Sequence, residues 1–415
     1  MKWLGHCWRK LTASRALIEA GPVERIFFQT VYRLAFIGGL SYSENRGGYE
    51  IYRSFIFGQL LLLIALEVWG ACSDDLTLEQ TISAISLVLI HLITCWKIIT
   101  MLANKKTYSK CAKILDSTTC DISTFKRKQI VEYWSETHVR YLTILLCLSG
   151  GTMFFWNIFP FIDDVEYNLM TLVRLPFKYH TTYRYIITYL ITGVMFNITS
   201  YLVIMSEVIM QAYLLPLICR YRVLADCFEN ILEDCERDFQ GFDKNMLFNN
   251  VQFIAKYKKR LRDLVKQHTV VLNQTMELKG ILSVPLLGQL CISGVLICFS
   301  GYQTTQNISE NPGKFMQTLG YLGYNMYTLY LICRWCQEIT TQSQNIGDAI
   351  YFSGWENGMS QVPGVKATIM IVICRASKPV IFDAGGMYNI SLSSYSSLVK
   401  ASYSALNILL RMSND

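Results

Sequence analysis

Charge is scarce in this sequence. Only 17% of its 415 residues are Asp, Glu, Lys or Arg, where a soluble chain carries about 25%. That shortage excludes the usual arrangement of two or three soluble domains with charged surfaces. The first fifty residues lack a continuous apolar core of the kind a cleaved signal peptide needs, so the amino terminus is expected to stay in the cytosol. No repeat of about 20 to 50 residues and no low-complexity tract is visible. HExxH, GxSxG, P-loop and paired intramembrane Asp patterns are all missing, so no enzyme is expected. No CxxC pair with a second pair or His partners at zinc spacing exists, so neither metal nor cofactor is expected.

Apolar residues, by contrast, make up 52% of the chain and gather in windows of about 20, the length a helix needs to cross hydrocarbon. Seven such windows stand out, at 54–72, 82–102, 141–162, 185–206, 280–302, 315–333 and 387–412. The chain is read as an all-α membrane protein with seven transmembrane helices and the lipid bilayer as its solvent. A further apolar run at 365–374 is too short to span and predicts a buried helix.

Lysine and arginine set the orientation. Segments 1–50, 104–138, 215–278 and 334–384 hold 28 of them, whereas 73–80, 163–184 and 303–313 hold 3. Positive residues stay inside, so the amino terminus is cytosolic and the carboxy terminus extracellular, the reverse of a G-protein-coupled receptor. The net charge of +7 follows from cytosolic loops facing anionic lipid, and no nucleic-acid partner is implied.

Most cysteines then fall in spans or on the reducing side. Cys333 and Cys336 share a helix face and suit apolar packing. The expected divisions are 1–53 (cytosolic), 54–214 (spans one to four), 215–279 (cytosolic extensions of spans four and five), 280–333 (spans five and six), 334–384 (a cytosolic anchor) and 385–415 (the seventh span and a short outer tail). Within the extensions, Lys256, Lys258, Lys259, Arg260 and Arg262 read as a solvated face near headgroups. Asn307-Ile308-Ser309 is a glycosylation sequon in the third outer loop.

The tail carries a signature. "IGDAIYFSGWENG" at 346–358 and "VPGVKATIMIVICRASKPVIFDAGGMYNISLSSYSSLVKASYSALNILL" after it resemble the carboxy-terminal motif of insect odorant receptors: an aromatic-Ser-x-Trp element, Arg-Ala-x-Lys-Pro, Ala-Gly-Gly and Lys-x-Ser-Tyr-Ser. The likeness covers roughly the last seventy residues; elsewhere it rests on length, span number and orientation. It implies a tuning subunit of a ligand-gated, non-selective cation channel, a heterotetramer with the odorant receptor co-receptor, in the plasma membrane of olfactory dendrites. The cytosolic helices would form the anchor between subunits, with 365–379 as the helix buried in it, and 387–412 would line the pore. Gustatory receptors share the architecture, so a self-sufficient channel of that type is the alternative.

Residue types agree with a pore at 387–412. At about 100° per residue, Ala401, Ile408 and Met412 share a narrow sector with Ser397 and Ala405 beside it. Small residues come first and bulky apolar ones last, the profile of a hydrophobic gate that closes by dewetting. Small residues also permit close helix packing. Lys400 lies about 100° away from that sector. For a small volatile ligand, the resemblance implies a pocket among the second, third, fourth and sixth spans. The candidates are His91, Gly150, Met153, Phe154, Trp156, Tyr189, Met195, Phe196, Tyr321, Tyr324 and Tyr327. His91 stands near mid-span, where polarity is costly. Glu67, Lys97 and Glu207 stand nearer span ends, from which they are expected to reach the interface.

Overall fold

The computed structural model describes residues 14–41, 47–73, 76–113, 121–162, 167–239, 247–308 and 311–414. Parts of the expected amino-terminal region, the sequon's Ser309 and the final Asp415 lie outside the described residues. Helices dominate, as hydrocarbon demands: with no water to pair them, backbone N–H and C=O groups must be satisfied within each segment.

Two helices, α1 (Arg15–Glu19) and α2 (Pro22–Ile37), precede α3 (Gly47–Ala71), α4 (Leu78–Ala103), α5 (Lys105–Ala112) and α6 (Phe125–Ile162). The long α7 (Thr182–Glu229) runs into α8 (Ile231–Glu236), and then come α9 (Val251–Asn307), α10 (Pro312–Tyr351), α11 (Val365–Ala376) and α12 (Leu392–Asn414). Local chemistry sets several of their starts. Thr77 and Gln80 form a reciprocal capping box ahead of α4, and Asn311 accepts from the N–H groups of Gly313 and Lys314 ahead of α10, with Pro312 at its first position.

Five of these, α3, α4, α6, α7 and α9, are long and apolar enough to cross a membrane. The expected sixth and seventh spans, in α10 and α12, are more polar for a structural reason. In α10 the polar residues Gln317, Thr318, Asn325 and Thr328 are buried against other helices. In α12, Ser396 and Ser404 bond carbonyls of their own helix, at Leu392 and Lys400. Helices α7, α9 and α10 each continue past the expected inner span ends without a break.

At the centre lies α7, buried on nearly all sides from Leu202 to Phe228, which is how a helix reads when it is itself the core. Around it pack α2, α3, α4, α6, α9 and α10. Cys333 and Cys336 are buried in α10 as free thiols.

Below the apolar windows an ionic cluster ties four elements together. The fully buried Arg127 guanidinium donates to Asp226 (2.9 Å), Asp121 (2.8 Å) and Asp234 (2.6 Å). Arg260 of α9 shares Asp121 and Asp234. Burial pushes the Asp121 carboxyl up, yet the Ser123 hydroxyl and N–H with the two guanidiniums outweigh it and hold it at about 2. The basic run is therefore not wholly a solvated face: Arg260 joins this cluster, and Lys256 bonds the Cys235 carbonyl and Asp238.

The short inner helix α11 ends at Ala376 rather than 379 because Pro379 follows. It is buried on one face only, by Val365, Ile369, Val372 and Ala376, while Met370 and Ile371 on the other face are exposed. The last helix starts at Leu392, not 387, because Asp383–Ala384 and Tyr388–Asn389 pair as a small antiparallel hairpin. Gly385 (φ 60°) and Gly386 (φ 73°) make its turn, a conformation that glycine adopts freely. A β-carbon at Gly385 would lie 2.7 Å from Leu287 Cδ2. Asp383 fastens the hairpin to α9, accepting from Ser283 Oγ (2.8 Å) and pairing with Lys279 (2.6 Å).

Candidate functional site

Four helices line a partly open cavity in the outer half of the bundle, with about 440 Å³ of space between atoms that includes some open to solvent. Each helix contributes one face: Leu87, Ile90 and His91 from α4; Ser149, Thr152, Met153 and Trp156 from α6; Phe196, Ser200, Val203 and Ile204 from α7; Tyr321 and Tyr324 from α10. The three- and four-residue spacings keep these side chains over one another on their helices. Trp156 forms the wall's centre, stacked on Phe196 with centroids 5.1 Å apart and edge-on to Tyr321 at 6.2 Å.

Of the residues expected at a pocket, His91, Met153, Trp156, Phe196, Tyr321 and Tyr324 come together on these walls. The others stand elsewhere. Gly150 faces open space and Phe154 is exposed on the outside of α6. Tyr189 lies further out, donating to the Asn157 carbonyl at 3.0 Å and edging Phe161. The Met195 carbonyl accepts from Gln59 (2.9 Å), and the Tyr327 hydroxyl donates to the Tyr141 carbonyl (3.4 Å). Helical phase explains most of these placements. At about 100° per residue, Tyr327 has turned about 120° from Tyr321, and Phe154 about 100° from Met153.

Ser149, Thr152 and Ser200 were not singled out in the sequence because a hydroxyl in a membrane helix ordinarily bonds its own backbone. Thr152 does so, at the Leu148 carbonyl (2.9 Å).

The expectation that Glu67, Lys97 and Glu207 reach the interface is overturned. All three are buried. Glu67 Oε2 lies 2.7 Å from His91 Nδ1. Lys97 Nζ donates to both Glu207 and Gln289, and Gln289 Nε2 donates to Ser293 Oγ at 3.1 Å. Each charge is compensated by a partner on another helix, the condition for keeping it in low dielectric.

A wider space of about 1050 Å³ lies outward of the cavity and shares Leu87, Trp156 and Tyr321 with it. Its walls are more polar, with Glu79, Lys314, Gln303 and the loop residues Asn168 to Leu172. Next to it, Asn307 is 3% exposed. Its Nδ2 donates to Glu79 (3.2 Å) and to the Gln303 carbonyl (2.7 Å), so the atom that would carry a glycan is turned inward.

Helix α12 has two sides. Leu398, Ser402 and Leu406 pack on α9, where the missing side chains of Gly294 and Gly301 let them approach. Ser397, Ala401, Ala405, Ile408 and Met412 are exposed along the flank beside this contact, and Lys400 is exposed further round the helix.

A family profile described as 7tm Odorant receptor matches residues 77–403. Among curated proteins, the chain is 27% identical over 159 residues to Odorant receptor 94a of Drosophila melanogaster, covering 38% of this chain and 40% of that one. It is 22% identical over 251 residues to Odorant receptor 85c of the same species, covering 60% and 59%. The first matched relatives are thus spanned over only about two fifths of their length. Among solved structures, the insect olfactory receptor OR5 from Machilis hrabei in complex with eugenol superposes with a TM-score of 0.77. The identity is 15%, over 94% of this chain and 99% of that one. A second structure of the same receptor gives 0.78, at 15% identity over 94% and 98%.

Proposed function

Because the chain belongs to the 7tm odorant receptor family, we propose that it is the ligand-binding subunit of a non-selective cation channel formed with the odorant receptor co-receptor. It works in the plasma membrane of olfactory dendrites, and its ligand is a small volatile molecule held in the cavity between α4, α6, α7 and α10. One observation carries the reading: an aromatic cavity and an uncovered small-residue face of α12 are joined within one bundle by a set of buried contacts. The eugenol complex of the structurally similar receptor supports a ligand in this fold.

The contacts suggest how occupancy reaches the pore. Glu207 sits one turn inward from the cavity residues Val203 and Ile204 on α7, and Lys97 holds it to α4 and to Gln289 of α9. One turn further along α9, Gly294 meets Leu398 and Ser402 of α12. A ligand that fits the cavity better when these helices stand in the open arrangement shifts the population toward it. Four subunits around an axis bring the bare α12 faces together. There Ile408 and Met412 close the path when dry, and small Ala401 and Ala405 leave it wide further in. The exposed Met370 and Ile371 of α11 suit the contact between neighbouring anchors.

Whole-cell recording tests this. Cells expressing the chain with the co-receptor should pass cation current during brief odorant pulses with G-protein signalling blocked, and cells expressing the chain alone should not. Current from the chain alone would favour a gustatory-type channel, and silence in both with the protein at the surface would remove the channel reading.

A further inference from the structure

The cavity is mostly apolar, but its polar groups are not randomly placed. His91 is 1% exposed and hydrogen-bonds through Nδ1 to Glu67, itself buried. A carboxylate only accepts, so the Nδ1 proton points at Glu67 and the ring is held in one orientation. Glu67 does not line the cavity; His91 does. Its Nε2 makes no hydrogen bond among the described residues. On the facing helix, the Tyr324 hydroxyl is buried with no partner among the described residues, and the Tyr321 hydroxyl is buried with only the Asn325 side chain close by, outside good hydrogen-bond geometry. Three polar groups from two helices therefore border one small apolar space with bonding capacity unused, where an unmade hydrogen bond is costly.

We propose that this cavity selects small neutral hydroxyl compounds, alcohols or phenols, by hydrogen bonds to His91 and to the Tyr321 and Tyr324 hydroxyls. The inference rests on the cavity being the ligand site and goes on to name the class of ligand. A hydroxyl is the smallest group that both donates and accepts. It gives its proton to a neutral imidazole Nε2 and accepts one from a tyrosine, or accepts from Nε2 if the ring is charged. A ketone or ether only accepts, so it serves fewer of these groups, and a hydrocarbon serves none. A site built to bond a hydroxyl rejects the isostere that lacks it, because its own buried groups are left unpaired. Trp156, Phe196 and Met153 hold the apolar remainder.

The test uses purified full-length protein in detergent and a readout independent of current: saturable thermal stabilisation as a function of ligand concentration. Matched compounds separate shape from bonding: para-cresol against para-xylene, and heptan-1-ol against methyl hexyl ether and octane. Hydroxyl compounds should bind about tenfold or more tightly than the isosteric hydrocarbon, with the ether between them. In Tyr324→Phe, which deletes one unpartnered oxygen and leaves the ring, the ratio should fall toward one while hydrocarbon binding is kept. His91→Phe should do the same, and His91→Gln should restore part of the preference. Equal binding of cresol and xylene would overturn the hydroxyl selection while leaving the cavity as the ligand site. A hydroxyl preference that persists in both Phe variants would overturn it as well. Absence of saturable stabilisation by any of these compounds would overturn the cavity reading and the inference with it.

Discussion

Ser402 Oγ donates to the Gly294 carbonyl at 2.9 Å, which fixes α12 against α9. The bond is made where glycine exposes its backbone, and Leu398 packs at the same place, 3.3 Å from where a β-carbon would stand. It sets the rotation of α12, and so which residues face away from the bundle. Ile408 is 61% and Met412 72% exposed in the single chain, a costly arrangement for apolar side chains in water but a sensible one for a constriction shared by four subunits.

Ile408→Ala and Met412→Ala should each widen that constriction. The expected result is raised resting leak or altered cation permeability in whole-cell recordings at equal surface expression. Unchanged currents would take both residues out of the gate.

Trp156 is the cavity's largest wall residue, and Trp156→Ala opens space beside Phe196 and Tyr321. Small ligands should lose about tenfold or more in half-maximal concentration as their contacts vanish, and bulkier ones should gain relative to them. An odorant panel ordered by volume checks this, with surface labelling as the control.

Lys97→Met leaves Glu207 buried without its counter-charge. Breaking such a pair typically costs about 3–5 kcal/mol, so surface expression and thermal stability should drop sharply. Lys97→Met with Glu207→Gln should recover much of the loss, because no bare charge remains. A double variant as poor as the single would argue that the pair matters for its geometry instead.

His268 in the inner part of α9 is buried against the edge of Phe228, and burial together with the nearby Arg375 pushes its pKa down to about 4. Its ordinary value is about 6.5. The fold holds it neutral, whereas the unfolded chain protonates it, so its contribution to stability is complete above about pH 6.5 and is lost progressively toward pH 4. The melting temperature of the purified protein should therefore fall between pH 7 and pH 5, and His268→Phe should flatten part of that slope. The same slope in the variant would assign the acid lability to other groups.

Much of this architecture was readable from one chain because bulk quantities carry it. Apolar windows and lysine–arginine asymmetry need no knowledge of packing, and the Tyr321–Tyr324 pair lies within one helical turn. The buried charges were not legible. Lys97 meets partners 110 and 192 positions away, and nothing local in the sequence distinguishes it from a lysine that snorkels to the interface. Gly150 and Phe154 were misplaced for a related reason. The outer half of α6 is apolar nearly all round, so its rotation follows from its neighbours and not from its own pattern. The pairing of the hairpin before α12 was hidden in two residues on each side.

The central claim is that this chain itself lines a cation path. The most direct measurement is cysteine accessibility: Ala405→Cys expressed with the co-receptor, with a small cationic methanethiosulfonate reagent applied from outside during odorant pulses. The account predicts irreversible loss of evoked current that develops only while the channel is open and is absent in the unsubstituted chain. Current that stays unmodified at Ala405, and equally at Ala401 and Ile408 substituted in turn, would contradict it.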